Sequence, residues 1–420
     1  MTVDQACSCP DYRSTRRNFL RNVSLASGGT VAATMFGDTF RQTAYGATNA
    51  NVVVVLSLRG GADFLSMVVP HGDSAYYRAR PHIAVPRSSL ICADNDFGLH
   101  PAFAPLKSMW TSNQMGVVLA TGLPVPNRSH FDAIEEIEDA APGSELRSGW
   151  INRLIGLQPG LSPLEGVSVG SGLLPTSMVG PQATLAATST DAIDLSGGST
   201  PKAQRARRRA LSQVWAKSQS PLGLGARSTL STTAALRSTL SHGYTPANGA
   251  KYPTSSLGDA LSDTARLVKA SVGVEVVTLD FGGWDMHSDL GTLESGSLSM
   301  NGMVTGLAKA LAAFFQDLGS TGSRVTLVTV TEFGRRVAEN GARGLDHGWA
   351  NSTLVLGGGV RGGRYHGRWP GLSDAQLGDG DLAVTTDYRS VLSEILDRRF
   401  GVSTSTVFPD FRPEPVGVMA

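Results

Sequence analysis

"VVVVLSL", residues 52–58, carries β-branched or leucine side chains at every position but Ser57. The run is too short for an amphipathic helix, and it does not alternate between apolar and polar residues. Both faces are therefore expected to be buried, as in a strand inside a parallel sheet. "MGVVLATG" (115–122), "VEVVTLDF" (274–281), "RVTLVTVTEF" (324–333) and "STLVLGGGV" (352–360) have the same character. Helical patterns fall between them. "AFAPLKSMW" (102–110) precedes the second strand, and "MVTGLAKALAAFFQDLG" (303–319), with apolar positions recurring at three and four, precedes the fourth. Strands alternating with helices predict an α/β fold built on a doubly wound, mostly parallel sheet.

The middle of the chain, about 155–270, reads differently. It holds serine, threonine and glycine clusters, the basic stretch "PKAQRARRRALSQVW" (201–215) and a helical pattern in "SSLGDALSDTARLVKASV" (255–272). It is expected to be a largely helical insertion, or cap, within a single domain spanning 47–420, and the basic stretch to be a solvated helix face. With 420 residues, 41 % hydrophobic and 17 % charged, the chain can bury a large core. Its 36 basic and 35 acidic residues leave a net charge of +1, which gives no steering toward nucleic acid or an anionic membrane.

Residues 1–46 stand apart. "STRRNFLRNVSLASGGTVAATMFG" (14–37) sets Arg16 and Arg17 before a mildly apolar, Gly/Ala-rich stretch, and Ala44 and Gly46 supply small residues for cleavage. This order is that of a twin-arginine signal peptide, which implies the twin-arginine export machinery as a partner and a periplasmic or secreted product. No stretch of about 20 apolar residues is present to span a membrane. Cys7 and Cys9 fall in the signal, so Cys92 alone remains and an internal disulfide is impossible.

Open α/β sheets bind ligands beyond the carboxyl ends of their strands. The first strand is followed there by "RGGADF" with Arg59 and Asp63, and the second by "PVPNRSHFDA" with Arg128, Ser129, His130 and Asp132. The third leads to "GGWDMHSD" with Asp285 and His287, and the fourth to "TEFGRR" with Glu332 and Arg335, then "GLDHGWAN" with Asp346 and His347. Three of the eight histidines thus lie on one expected rim beside carboxylates. Mixed nitrogen and carboxylate ligands suit zinc, manganese or iron, whereas carboxylates alone would suit magnesium or calcium. Any one Asp-His pair has a plain alternative, a hydrogen bond to backbone or to its neighbour.

Ser129 reads as a helix N-cap with Asp132 as its capping-box partner. The same position puts a hydroxyl at the positive end of a helix, where with Arg128 and a metal it would serve as a nucleophile toward phosphorus or sulfur. Arg59 and Arg335 have forks suited to a tetrahedral oxyanion, or each pairs with a rim carboxylate. Gly60 and Gly61 permit a tight turn but complete no Walker or dinucleotide fingerprint.

"LRGGAD", "FGLHPAFAPL", "NRSHFDA", "GGWDMHSD", "TEFGRRVAENGARGLDHGWAN" and "GGRYHGRWPGL", in that order behind a twin-arginine signal, resemble the bacterial domain-of-unknown-function family 1501 over about residues 52–400. That family is grouped with the alkaline phosphatase and sulfatase superfamily. The resemblance implies an alkaline phosphatase-like sheet and an exported metal-dependent hydrolase of a phosphate or sulfate ester, its substrate a small molecule or a glycan ester. It also implies one or two divalent ions (zinc, manganese or calcium). Asp63 resembles the superfamily's first-strand metal ligand, and Ser129 its nucleophile at a helix start. Asp285 and His287 resemble an Asp and His on one metal, although more closely spaced, and His347 a late histidine ligand. "TTDYRSVLSEIL" (385–396) resembles its C-terminal helix. With His130, Glu332 and Asp346 these make the expected metal set, while Arg59, Arg128 and Arg335 are expected to steady the oxyanion. One departure stands out. Where the superfamily has an Asp-His pair, "TEFG" offers Glu332 and no histidine, so Asp346 and His347 either restore the pair or the second metal is missing. The alternative function is therefore a non-catalytic or degenerate-site protein binding an anionic glycan or an envelope partner.

Overall fold

Val52–Leu58 forms strand β1, every residue buried, in a computed structural model. It describes residues 51–420 apart from 145, 158–163, 194–199, 219 and scattered positions between 221 and 242. The expected export signal and its two cysteines lie outside the described residues. Along the chain follow β2 Val68–Val69, β3 Gly98–Leu99, β4 Met115–Gly122, β5 Gly166–Val169, β6 Leu185–Ala187, β7 Val276–Phe281, β8 Val325–Val330, β9 Asn351–Gly357, β10 Tyr365–His366 and β11 Thr386–Asp387. The main sheet runs β10-β4-β9-β8-β1-β7-β5-β6, with β11 also on β4. β1 lies between β7 and β8 and is parallel to both, which is why it has no polar face.

β9 departs from the parallel pattern, pairing antiparallel with β4 and β8. Its first residue, not its last, therefore lies at the edge where β1, β4, β7 and β8 end. Residues 331–350 bridge β8 and β9 along that edge, and so deliver His347 there by a different route from the other histidines.

Helices cover both faces, as a doubly wound sheet requires. Val52, Val54, Leu56 and Leu58 share one core with Leu257 and Leu261 of helix Ser256–Lys269 and with Leu307, Leu311 and Phe314 of helix Met300–Leu318. Val53 and Val55 face the other way, toward Trp150 and Ile151 of helix Trp150–Ile155 and Leu392 and Ile395 of helix Tyr388–Phe400. The two-residue period of β1 thus fills two cores at once.

Some local expectations shift. The helix expected over 303–319 begins at Met300, because the Ser299 hydroxyl caps it by accepting from the Gly302 amide. The helix expected over 102–110 is a 3-10 segment, Pro101–Leu106, followed by the short helix Lys107–Thr111. Pro105 has no N–H to continue a regular ladder. The stretch expected to be a largely helical insertion also contains β5 and β6, which extend the sheet beyond β7. Within it helix Pro201–Trp215 buries none of its residues, in keeping with a solvated basic face. No helix among the described residues is long and apolar enough to cross a membrane.

Candidate metal centre

The rim is assembled from close backbone approaches. After β1 the chain turns through Gly60 and Gly61, with φ of +108° and +72°. A Cβ at Gly60 would stand 2.7 Å from the Asp285 amide nitrogen. The loop after β1 therefore fits behind the loop after β7 only because residue 60 has no side chain. Gly60→Ala is expected to push Asp285 out of place and lower stability by roughly 1–3 kcal/mol, read as a fall in thermal midpoint.

Asp285 is fixed from beneath by Arg335, whose side chain is 1 % exposed. Its Nη2 donates to Asp285 Oδ1 at 2.6 Å, and the same guanidinium donates to the carbonyls of Gly60, Gly61, Leu345 and Trp284. One arginine thereby ties together three of the loops that carry the rim. Burial would raise the Asp285 carboxyl, but the hydrogen bond and charge of Arg335, helped by His347 and His287, hold it at about 2. It is an anion at any physiological pH.

Two histidines face this carboxylate. His287 Nε2 lies 3.0 Å and His347 Nε2 3.2 Å from Asp285 Oδ1, and the two Nε2 atoms are 3.1 Å apart. Of their outer nitrogens, that of His347 has an unambiguous partner. His347 Nδ1 is 2.8 Å from the Arg128 carbonyl oxygen, which can only accept, so Nδ1 carries the proton. His287 lies between two carboxylates, its Nδ1 3.1 Å from Asp346 Oδ1 and its Nε2 3.0 Å from Asp285 Oδ1, so either nitrogen can carry its proton. The two Nε2 atoms thus face each other and one oxygen of Asp285. Three electron-rich atoms at about hydrogen-bond distance repel unless a cation, proton or metal, lies among them.

His130 completes the group. Its Nε2 is 3.5 Å from Asp285 Oδ2 and its Nδ1 3.7 Å from Glu332 Oε2. His130, Asp285 and His347 each offer a ligand atom within 4.8 Å of the others. The Phe333 ring packs against the rings of both His130 and His347, at centroid distances of 4.9 and 4.5 Å. Two nitrogens and one carboxylate oxygen, backed by an apolar ring, fit a transition-metal site that keeps a position open.

The remaining expected residues are placed as follows. Asp346 stands behind His287, and hydrogen bonds from Asn340 and then His287 hold its carboxyl below its ordinary value. Glu332 is buried and accepts the Gly60 amide at 2.7 Å, at the back of His130. Ser129 caps helix His130–Asp139, accepting the Asp132 amide at 3.4 Å, while Asn127 rather than Asp132 receives its own N–H.

Asp63 is not brought to this cluster. It is buried in an ion pair, its two oxygens 2.6 and 2.9 Å from Arg80 Nη1 and Nη2, and it caps helix Phe64–Met67. The arginines expected to clamp an oxyanion are likewise engaged. Arg59 pairs with Glu138 and Asp280, Arg128 with Asp381 and Asp379, and Arg335 with Asp285. A guanidinium near so many carboxylates satisfies itself within the chain first. Phe333, Asn340 and Arg80 were not singled out from the sequence, since no motif or spacing marks an aromatic wall, a loop amide or a buried counter-ion.

The family model described as "Protein of unknown function (DUF1501)" matches residues 97–408. No curated protein matches the chain. Among solved structures, the C-terminal periplasmic domain of EcEptC from Escherichia coli is similar at 10 % identity, over 90 % of this chain and 92 % of that one, with a TM-score of 0.36. The lipoteichoic acid synthase LtaP from Listeria monocytogenes is similar at 8 % identity, over 80 % and 73 % of the chains, with a TM-score of 0.35. A protein in the alkaline phosphatase superfamily from Vibrio parahaemolyticus is similar at 10 % identity, over 84 % and 72 %, with a TM-score of 0.30. Likeness this distant leaves the chemistry to the side chains.

Proposed function

We propose that this chain, which belongs to the DUF1501 family of proteins of unknown function, is an exported metal-dependent hydrolase of a phosphate or sulfate ester. The observation that carries the reading is the pair of histidine Nε2 atoms, 3.1 Å apart and both facing Asp285 Oδ1, with His130 within ligand distance of Asp285 and His347. Asp285, His130 and His347 would hold one ion with His287 beside them. Asp346 and Glu332 act from behind, as partners that orient the rings. Two imidazoles and a carboxylate favour zinc or manganese over calcium, which prefers oxygen ligands throughout. When bound, such an ion polarises the ester oxygen and favours the deprotonated form of a nearby hydroxyl.

The chain's own residues supply the rest. Arg335 fixes the orientation of Asp285, and the Arg128 carbonyl that of His347. Ser129 is the proposed nucleophile. Its oxygen accepts from the Asp132 amide, which leaves the hydroxyl proton free to be taken, and the helix N-terminus favours the negative charge that develops. Asp63 has both oxygens on Arg80, and the carboxylates and imidazoles that remain gather at a single cluster, so the donor set favours one ion over two.

Metal analysis of the purified mature protein is expected to find about one transition ion per chain. Removing it should lower the thermal midpoint and abolish phosphate or sulfate release from aryl esters. A protein that holds no transition metal, and whose stability ignores chelators, would falsify the reading. Asp346→Asn, which removes the negative charge behind His287, is expected to weaken metal affinity roughly 10- to 100-fold, measured by competition with a chromophoric chelator. A second reading, a non-catalytic protein that binds an anionic glycan or envelope partner, draws support from the three arginines being already paired. Saturable ligand binding with no turnover across ester panels and metals would decide for it.

A further inference from the structure

Arg128 and Arg336 converge on two aspartates of the turn between Gly378 and Asp381, whose backbones bond to each other. Asp381 is fully buried. Its Oδ2 accepts from Arg128 Nε at 3.1 Å and Nη2 at 2.5 Å, while Oδ1, without a hydrogen bond, lies 3.6 Å from Arg336 Nε. Asp379 is the opposite case, with a side chain 80 % exposed. Its Oδ2 bridges the two guanidiniums from the solvent side, 3.2 Å from Arg128 Nη2 and 3.4 Å from Arg336 Nη2. Both distances are at the long end for charged hydrogen bonds.

We propose that Arg128 and Arg336 form a seat for a tetrahedral oxyanion, a phosphate or sulfate group, and that the Asp379 carboxylate occupies it as a displaceable stand-in. Asp381 orients the two forks from below and cannot leave, since it is buried. The Asp379 carboxylate can swing away at little cost, because an exposed ion pair contributes at most about 1 kcal/mol, while its backbone carbonyl goes on accepting from Arg336 Nη1. Its departure leaves two cations against one anion, an excess that a planar-forked pair satisfies best with a tetrahedral oxyanion. The seat adjoins the metal centre through the backbone. The Arg128 carbonyl accepts from His347, and the Arg336 amide donates to the Asp346 carbonyl at 3.0 Å. The inference gives the proposed ester hydrolase its anion-recognition site and rests on that reading for its biological role, while anion binding itself does not require turnover.

The test is calorimetric titration of inorganic sulfate, and separately phosphate, into the mature protein stripped with chelator and again after zinc is restored. Asp379→Asn removes the competing charge yet keeps the left-handed backbone, φ 54°, that asparagine tolerates well. It is expected to tighten anion binding roughly two- to fivefold in both states, with an unchanged thermal midpoint. Arg336→Gln is expected to weaken binding by at least as much. Affinities indifferent to both variants overturn the seat, including the outcome in which anions bind only when zinc is present. If instead no metal binds and no ester is turned over while Asp379→Asn still tightens sulfate, the hydrolase reading fails and the seat stands.

Discussion

Asp63→Ala is expected to lower the free energy of unfolding by about 3–5 kcal/mol while leaving the metal content of the protein unchanged. The magnitude follows from removing one partner of a buried ion pair, which strands the other charge away from water. Arg80 is completely buried. Besides Asp63 it donates to the carbonyls of Val337 and Arg336 and to the Ser66 hydroxyl, so the pair fastens the loop after β8 to the loop after β1. Urea unfolding gives the first quantity and metal analysis of the folded variant the second. A variant that keeps its stability but loses its metal would return Asp63 to the ligand set. The pair also sets an acid limit. Burial raises the Asp63 carboxyl, yet the charge and hydrogen bonds of Arg80 prevail and hold it below its ordinary value. A carboxyl depressed in the folded state gives stability that is complete above its unfolded value, near pH 4, and is lost as pH falls through the folded one. Asp63→Ala should therefore flatten the acid side of the stability profile.

Asp285→Asn carries the second large effect, and it is expected in function more than in folding. Asp285 faces two histidine nitrogens and stands within 3.5 Å of a third, so its charge is what makes the cluster attractive to a cation. Losing it should weaken metal binding beyond the roughly 10- to 100-fold typical of an outer partner, and ester hydrolysis with it. The amide remains close in shape, and Arg335 keeps its four carbonyl partners. The buried Arg335 does lose its charged partner, so the thermal midpoint of the metal-free variant should fall somewhat below that of the metal-free parent, a smaller change than the loss of metal affinity. Retained metal with full turnover would remove Asp285 from the centre.

The two predictions separate residues that looked alike in the sequence. Asp63 and Asp285 both follow buried strands and both sit beside glycines. Position along the chain places each at the rim, but it does not reveal what faces each carboxylate. Arg80, 17 positions on, turns inward and claims Asp63. Arg335, 50 positions on, claims one oxygen of Asp285 and leaves the group exposed enough to meet the histidines. Arg59 and Arg128 make the same point, since a fork suited to an oxyanion suits a carboxylate equally well. Only the carboxylates brought near by folding decide between them.

What the sequence determined by itself is the layout. Unbroken apolar runs such as 52–58 can be buried only on both faces, which requires a sheet covered by helices on either side. The residues that follow the strands running in one direction then share an edge. Local periodicity carries that much because strand and helix burial repeat every two or three to four residues. The tertiary structure decided the reversed direction of β9, the addition of β5 and β6 to the sheet, and the partner of every charged side chain. Those outcomes depend on contacts between residues tens to hundreds of positions apart, set by pairwise geometry and burial that no local pattern encodes. The histidines gathered around Asp285 are legible as candidates in one dimension, and they come within ligand distance of one another only when the loops are folded together.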